Sequence, residues 1–211
     1  MNNEAIDFLR SSEPRFAEHI ERIGPVTINS PEYKDPFVAL IRSITYQQLA
    51  GAAARAIWLR VLALFDGAAP TAEALLALSD EQLRSAGLSR SKVAAMRDIA
   101  AKTVAGIVPN ARSIARMQEE RIYERLTQIR GVGRWTVEML LIFSLRRPDV
   151  MPVTDYGVRK GFQVLYRKRS LPTPKQLEKF ARRWSPHRTT AALYLWRIAN
   201  TAKPVRRKST S

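Results

Sequence analysis

Residues 126–161 read LTQIRGVGRWTVEMLLIFSLRRPDVMPVTDYGVRKG, and this stretch constrains the chain more tightly than any other. Its first part is the end of an amphipathic helix, expected to run to Ile129. Gly131-Val132-Gly133 then makes a tight turn, and a second helix is expected from about Arg134. Two glycines allow the turn a positive φ and let its backbone approach a ligand closely. The first N–H groups of the second helix lack intrahelical acceptors and lie at the positive end of its dipole. Such an end suits a phosphate, so Gly131, Gly133 and Thr136, flanked by Arg130 and Arg134, are candidate phosphate-binding residues. Taken alone, a GxG between helices is also an ordinary C-cap turn.

The same helical period extends outward in both directions. Asp35-Pro36 is a cap followed by a first-turn proline, and Phe37, Leu40, Ile41 and Ile44 then mark one apolar face. The Ala-rich run from Ala50 to Phe65 stops at Asp66-Gly67. Ser79 with Gln82 forms a capping box whose short helix ends at Gly87. Ser91 to Ala105 is another amphipathic helix, while Thr173-Pro174 with Gln176, and Ser185-Pro186, mark two later starts. No run alternates apolar and polar residues as a strand does, which predicts an all-α fold. Gly24 to Asp35 and Arg146 to Thr154 read as connectors. The basic tail 203–211 lacks an apolar period and reads as disordered.

Composition narrows the chemistry. Of 211 residues, 45% are apolar, enough for a sizeable core, and 26% are charged. No apolar stretch approaches the roughly 20 residues that span a bilayer, and the N-terminus lacks a signal-peptide pattern. A cytoplasmic or nucleoid location is therefore expected in a bacterium, a nuclear one in a eukaryote. The chain has no Cys, which excludes disulfides, a thiol nucleophile and an iron–sulfur cluster. Its two His, His19 and His187, do not make a histidine-rich metal centre. The net charge of +16 is one-sided: residues 1–105 carry 12 basic and 12 acidic side chains, residues 106–211 carry 23 and 7. That asymmetry points to a polyanionic partner, nucleic acid first.

The hairpin, together with Asp155 twenty-four positions after Gly131, resembles the helix-hairpin-helix signature of the HhH-GPD DNA glycosylases. Phe37–Trp58, Ala86–Met96 and Arg183–Trp196 resemble other segments of that family, in the family's order. Members with lyase activity carry a lysine two positions after the second hairpin glycine, which forms a Schiff base with the sugar. Here that position is Trp135, and the missing Cys separates the chain from the cluster-bearing relatives. The branch it is most similar to is the alkylpurine branch, of the 3-methyladenine DNA glycosylase II (AlkA) type.

The resemblance implies a fold of two helical subdomains with a DNA-binding cleft between them. Residues 34–151 would form a central bundle ending in the hairpin (126–146), and 1–33 with 152–202 the second subdomain. It also implies a monofunctional enzyme, expected to act as a monomer, that flips and excises alkylated purines from double-stranded DNA. Asp155 would stabilise the developing sugar cation, a role that stands beside its plainer reading as a helix N-cap. Asp149 reads as a loop or cap residue. A cationic base gains roughly 0.5–2 kcal/mol over an aromatic face, and Trp135 and Trp196 occupy the base-pocket positions. Tyr194 is a further candidate, and Met139 stands where some relatives carry an aromatic ring. Trp58 and Trp184 read as core.

Leu49, with Gln48 beside it, would fill the gap left by the flipped nucleotide, or Leu49 is a core leucine at helical spacing. No cofactor is required. The backbone carbonyls of Thr127, Ile129 and Val132 match positions that hold a monovalent cation (sodium or potassium) in related hairpins, where Arg130 often is proline. Other readings are the same fold acting on hypoxanthine or ethenoadenine, a non-catalytic helix-hairpin-helix DNA-binding protein, and a basic helical RNA-binding factor.

Overall fold

A computed structural model describes residues 3–28, 33–49 and 51–201, and every regular element among them is helical. In chain order these are α1 (Asn3–Ser12), α2 (Pro14–Ile23), α3 (Pro36–Tyr46), α4 (Gly51–Ala63), α5 (Ala72–Ala77), α6 (Asp80–Ser85) and α7 (Arg90–Val104). Then follow α8 (Ala111–Ala115), α9 (Glu119–Leu126), α10 (Arg134–Met139), α11 (Tyr156–Leu165), α12 (Pro174–Ala181) and α13 (Arg188–Thr201). A π-helical turn, Leu140–Ser144, continues α10, and a 3₁₀ turn, Arg182–Trp184, follows α12.

The helix starts follow from local chemistry. The Asp35 carboxylate accepts from the Phe37 N–H at 2.8 Å, ahead of Pro36 at the first helical position. Ser79 and Gln82 exchange both capping-box hydrogen bonds, as do Thr173 and Gln176. Several boundaries differ from the sequence expectation. The first hairpin helix ends at Leu126 rather than Ile129, because the Ile129 N–H tightens onto the Leu126 carbonyl before the chain turns at Gly131. Helix α7 begins at Arg90, capped by Ser89, rather than at Ser91. Helix α13 begins at Arg188, and Ser185 instead donates its hydroxyl to Asp149 at 2.7 Å.

The chain divides into two compact units, Ser30–Arg146 and Met1–Asn29 with Arg147–Ser211. The sequence boundaries at 33/34 and 151/152 therefore move. Residues 147–151 join the unit formed by the termini because they are tied to the start of α13. The Thr189 hydroxyl donates to the Arg147 carbonyl and accepts from the Val150 N–H, while the Thr189 N–H donates to the Pro148 carbonyl. The Asp149 carboxylate takes both the main-chain N–H and the guanidinium of Arg188. Burial opposes its ionisation, but the hydrogen bonds from Arg188 and Ser185 outweigh this and hold it below the usual carboxylate range. The tail 203–211 lies outside the described residues, as do Ala50 and part of the connector Gly24–Asp35.

In the central unit the core is drawn from α3, α4, α7 and the hairpin helices, with Leu40, Ile41, Ile44, Met96, Ile99, Val137 and Leu141 buried. Trp58 is buried too, its indole N–H on the Tyr33 hydroxyl at 3.3 Å. In the other unit Phe16, Phe162, Trp184, Tyr194 and Ile198 share one core. There α11 lies hard against α13, and two glycines one turn apart make that approach possible. A Cβ at Gly161 would sit 1.9 Å from the Leu195 carbonyl oxygen, and one at Gly157 would sit 2.7 Å from Cδ1 of Trp196.

Candidate active site and nucleic-acid interface

The hairpin turn is built as its glycines require. Gly131 has φ +77°, and its bare Cα faces the Cβ of Ala95, which a side chain there would meet at 2.7 Å. The Arg130 N–H donates to Asp98 at 2.7 Å, which fixes the turn to α7. Gly133 caps α10, so the amides of Gly133 and Arg134 precede any intrahelical acceptor. Arg134 leaves this end 63% exposed, its guanidinium steered by the carboxylate of the buried Glu138 at 3.1 Å and by the Tyr123 ring at 4.8 Å. An oriented arginine beside open helix amides is a competent phosphate grip. Thr136 differs from expectation: its side chain is buried, and its hydroxyl accepts from Gln47 Nε2 at 2.9 Å, so it holds the scaffold rather than a phosphate.

The link from Gln47 to the hairpin is one that sequence reasoning missed. The same Nε2 also donates to the Gly131 carbonyl at 3.0 Å, across 84 positions of chain. Beyond it the chain turns outward: Gln48 takes φ +57° and is exposed, and Leu49 is 39% exposed. The core alternative for Leu49 is thereby removed. A leucine and a glutamine stand on the surface at the end of α3, next to the hairpin turn.

In the other unit Asp155 caps α11. Its Oδ1 accepts from the Val158 N–H at 2.8 Å and from the Trp196 indole N–H at 2.8 Å. The carboxylate is only partly buried, and the neighbouring Tyr156 is 67% exposed. The capping reading of Asp155 holds, and the two hydrogen bonds lock its carboxylate in place. Trp196 is half-buried with its ring over Gly157, so besides presenting an aromatic face it orients the carboxylate. No periodicity could reveal that pair, which lies 41 residues apart. Trp135 is half-buried on α10, and Met139 is buried. Tyr194 is corrected. It is fully buried in the core beside Phe16, its hydroxyl donates to the Gly24 carbonyl at 3.2 Å, and burial raises its pKa. It lines no base pocket.

This arrangement can be set against known proteins. Residues 41–187 match the model of the HhH-GPD superfamily base excision DNA repair proteins. The chain belongs to the HhH-GPD superfamily. It is 43% identical over 183 residues to DNA-3-methyladenine glycosylase 1 of Schizosaccharomyces pombe, covering 85% of this chain and 80% of that protein. The solved structure of the S. pombe 3-methyladenine DNA glycosylase Mag1 with abasic DNA superposes with a TM-score of 0.90 at 37% identity, over 94% of this chain and 98% of that one. A Bacillus halodurans DNA-3-methyladenine glycosidase matches at TM-score 0.78 and 35% identity, over 93% and 89%. For an HhH-GPD protein, a capped aspartate after the hairpin and a glycine turn before α10 are the features the sequence singles out.

Among the described residues no helix is long and apolar enough to cross a membrane, and no cluster of three or more His, Asp or Glu is placed to hold a metal ion.

Proposed function

We propose that the protein is a monofunctional DNA glycosylase that hydrolyses the N-glycosidic bond of alkylated purines in double-stranded DNA, and that it acts as a monomer in base excision repair. The observation that carries the reading is Asp155: a partly exposed carboxylate held by a main-chain N–H and an indole N–H at the start of α11.

An alkyl group at N3 or N7 makes the purine cationic, so it leaves with the bonding pair as a neutral base and needs no general acid. Positive charge develops at C1′, and one fixed carboxylate stabilises it more effectively than mobile solvent does. Water then adds to C1′ and releases a proton, completing hydrolysis. Trp135 cannot form a Schiff base, so strand cleavage does not accompany release. The hairpin amides with Arg130 and Arg134 hold the backbone phosphate, and Leu49 and Gln48 enter the duplex; in the other unit the face of Trp196, beside Asp155, meets the cationic base. The carbonyls of Thr127, Ile129 and Val132 would suit a sodium or potassium ion at the turn. Each carbonyl has two lone pairs, so Ile129, which accepts from the Val132 N–H, keeps one for a hard cation.

The deciding experiment incubates the protein with duplexes carrying 7-methylguanine or 3-methyladenine and measures free base. Release with strands intact until alkali is the expected result, and no release from either lesion overturns the reading. Duplexes carrying hypoxanthine or ethenoadenine, run alongside, define the lesion range.

Two further results are expected. Duplex affinity should fall at least about tenfold between roughly 50 and 200 mM salt, because several phosphates release counterions on binding. Titration by fluorescence anisotropy at several salt concentrations checks this. Trp196→Phe keeps an aromatic face but removes the N–H that orients Asp155. Single-turnover base release should slow by about tenfold with duplex affinity little changed, as for the loss of one hydrogen bond to a charged group.

A further inference from the structure

The exposed Gln48–Leu49 turn is not a free loop. The Lys92 ammonium reaches from α7 and donates to the Thr45 carbonyl at 2.7 Å and the Gln47 carbonyl at 3.0 Å. These are the orphan acceptors at the end of α3, where a cation also complements the helix dipole. Gln47 Nε2 is itself bound to the Gly131 carbonyl and the Thr136 hydroxyl of the hairpin. Immediately after these anchored residues Gln48 takes φ +57°, a left-handed conformation uncommon for a non-glycine residue. The Gly131 turn, in turn, packs against Ala95 of α7, and Arg130 is tied to Asp98 one turn further along. Three segments remote in sequence thus lock one another at a single junction.

We infer that Lys92 and Gln47 are positioning residues that join the phosphate-holding hairpin and the Leu49 turn into one rigid element, so that gripping the backbone and filling the duplex are a single event. Neither side chain need touch the base. Lys92 dictates where the turn leaves α3, and Gln47 dictates its distance from the hairpin amides. A leucine on a loosened turn would lose its preorganised geometry and would have to be ordered at each encounter, so nucleotide extrusion suffers while encounter with the duplex does not. The inference rests on the reading of Leu49 as the side chain that enters the duplex, and the test separates the two.

The probe is a duplex with a tetrahydrofuran abasic-site analogue and 2-aminopurine in the opposing position, whose fluorescence rises when stacking is broken. Leu49→Ala should reduce the fluorescence step by about tenfold, in line with the few kcal/mol that unstacking requires. Lys92→Met, which keeps the length and removes the donors, should reduce it by a similar factor. In a Leu49→Ala background the same substitution should change it by less than about twofold, since residues acting as one unit are non-additive. Lys92→Arg restores donors and should recover most of the signal. Gln47→Met probes the second anchor and stands in if Lys92→Met fails to fold by circular dichroism. If Leu49→Ala lowers the signal but the Lys92 and Gln47 variants do not, or if their effects multiply with that of Leu49→Ala, the positioning role is overturned. If Leu49→Ala itself leaves the signal unchanged, the insertion reading falls instead.

Discussion

Asp155→Asn is expected to slow base release by about 10²–10³-fold while leaving duplex affinity within about twofold. The substitution is informative because of what it preserves. Asparagine caps helices about as well as aspartate, and its Oδ1 can still accept from the Val158 N–H and the Trp196 indole. Helix α11 and the Trp196 contact therefore remain, and only the negative charge is lost. A role limited to capping predicts an enzyme close to wild type in both excision and thermal stability. A charge-stabilising role predicts collapse of the single-turnover rate with an unchanged melting curve. Asp155→Ala supplies the complement: it removes the cap as well, so it should destabilise the protein by about 1 kcal/mol in addition to losing activity. Excision of 7-methylguanine by both variants, measured beside their unfolding midpoints, separates charge from cap. Full activity in Asp155→Asn would return Asp155 to a purely structural role.

What could be read from the sequence follows the range of the interactions involved. Capping boxes are contacts three residues long, so Ser79 with Gln82 and Thr173 with Gln176 are visible as spacing and present in the fold. Asp35-Pro36 and the hairpin glycines belong to the same class, and so does Asp155, whose cap on the Val158 N–H spans three residues. Interactions across the chain leave no such trace. The Gln47 link to the hairpin, the Lys92 anchor and the Trp196–Asp155 hydrogen bond each depend on packing that only the assembled core defines. Tyr194 shows a second limit. Helix α13 buries Thr190, Ala191, Ala192, Tyr194, Leu195 and Ile198, an arc of more than half its circumference, while Trp196 is half-buried and Arg197 exposed. An arc that wide mixes polar with apolar residues, so the sequence does not say which of two neighbouring rings points into the core. The π turn at Leu140–Ser144 is likewise silent in LLIFS, which reads as ordinary helix.

Gly161→Ala should be the most damaging single-methyl substitution in the terminal unit. An added Cβ would meet not a flexible side chain but main chain: the Leu195 carbonyl oxygen at 1.9 Å, its carbon at 2.5 Å and the Leu195 Cα at 2.8 Å. Main chain cannot rotate away, so α11 and α13 must separate along the interface that brings Asp155 and Trp196 together. Overpacking in a close-packed core costs about 1–3 kcal/mol where side chains can yield, and a backbone clash belongs at or above the upper end of that range. An unfolding midpoint lower by ~10 °C is the expected reading for a chain of this size. Gly133→Ala is the internal control, because a Cβ there meets nothing within 4 Å, and its stability should stay within about 0.5 kcal/mol of wild type. Gly157→Ala lies between them. Its Cβ would press on Cδ1 of Trp196 at 2.7 Å and approach Asp155 Oδ1 at 3.2 Å, so a side chain can yield, but the one that must move is the one that orients the carboxylate. Its expected signature is a small loss of stability with a disproportionate loss of excision. Equal melting of Gly161→Ala and wild type would mean that the two helices do not need their close approach, and with it the account of why glycine recurs at 157 and 161 would fail.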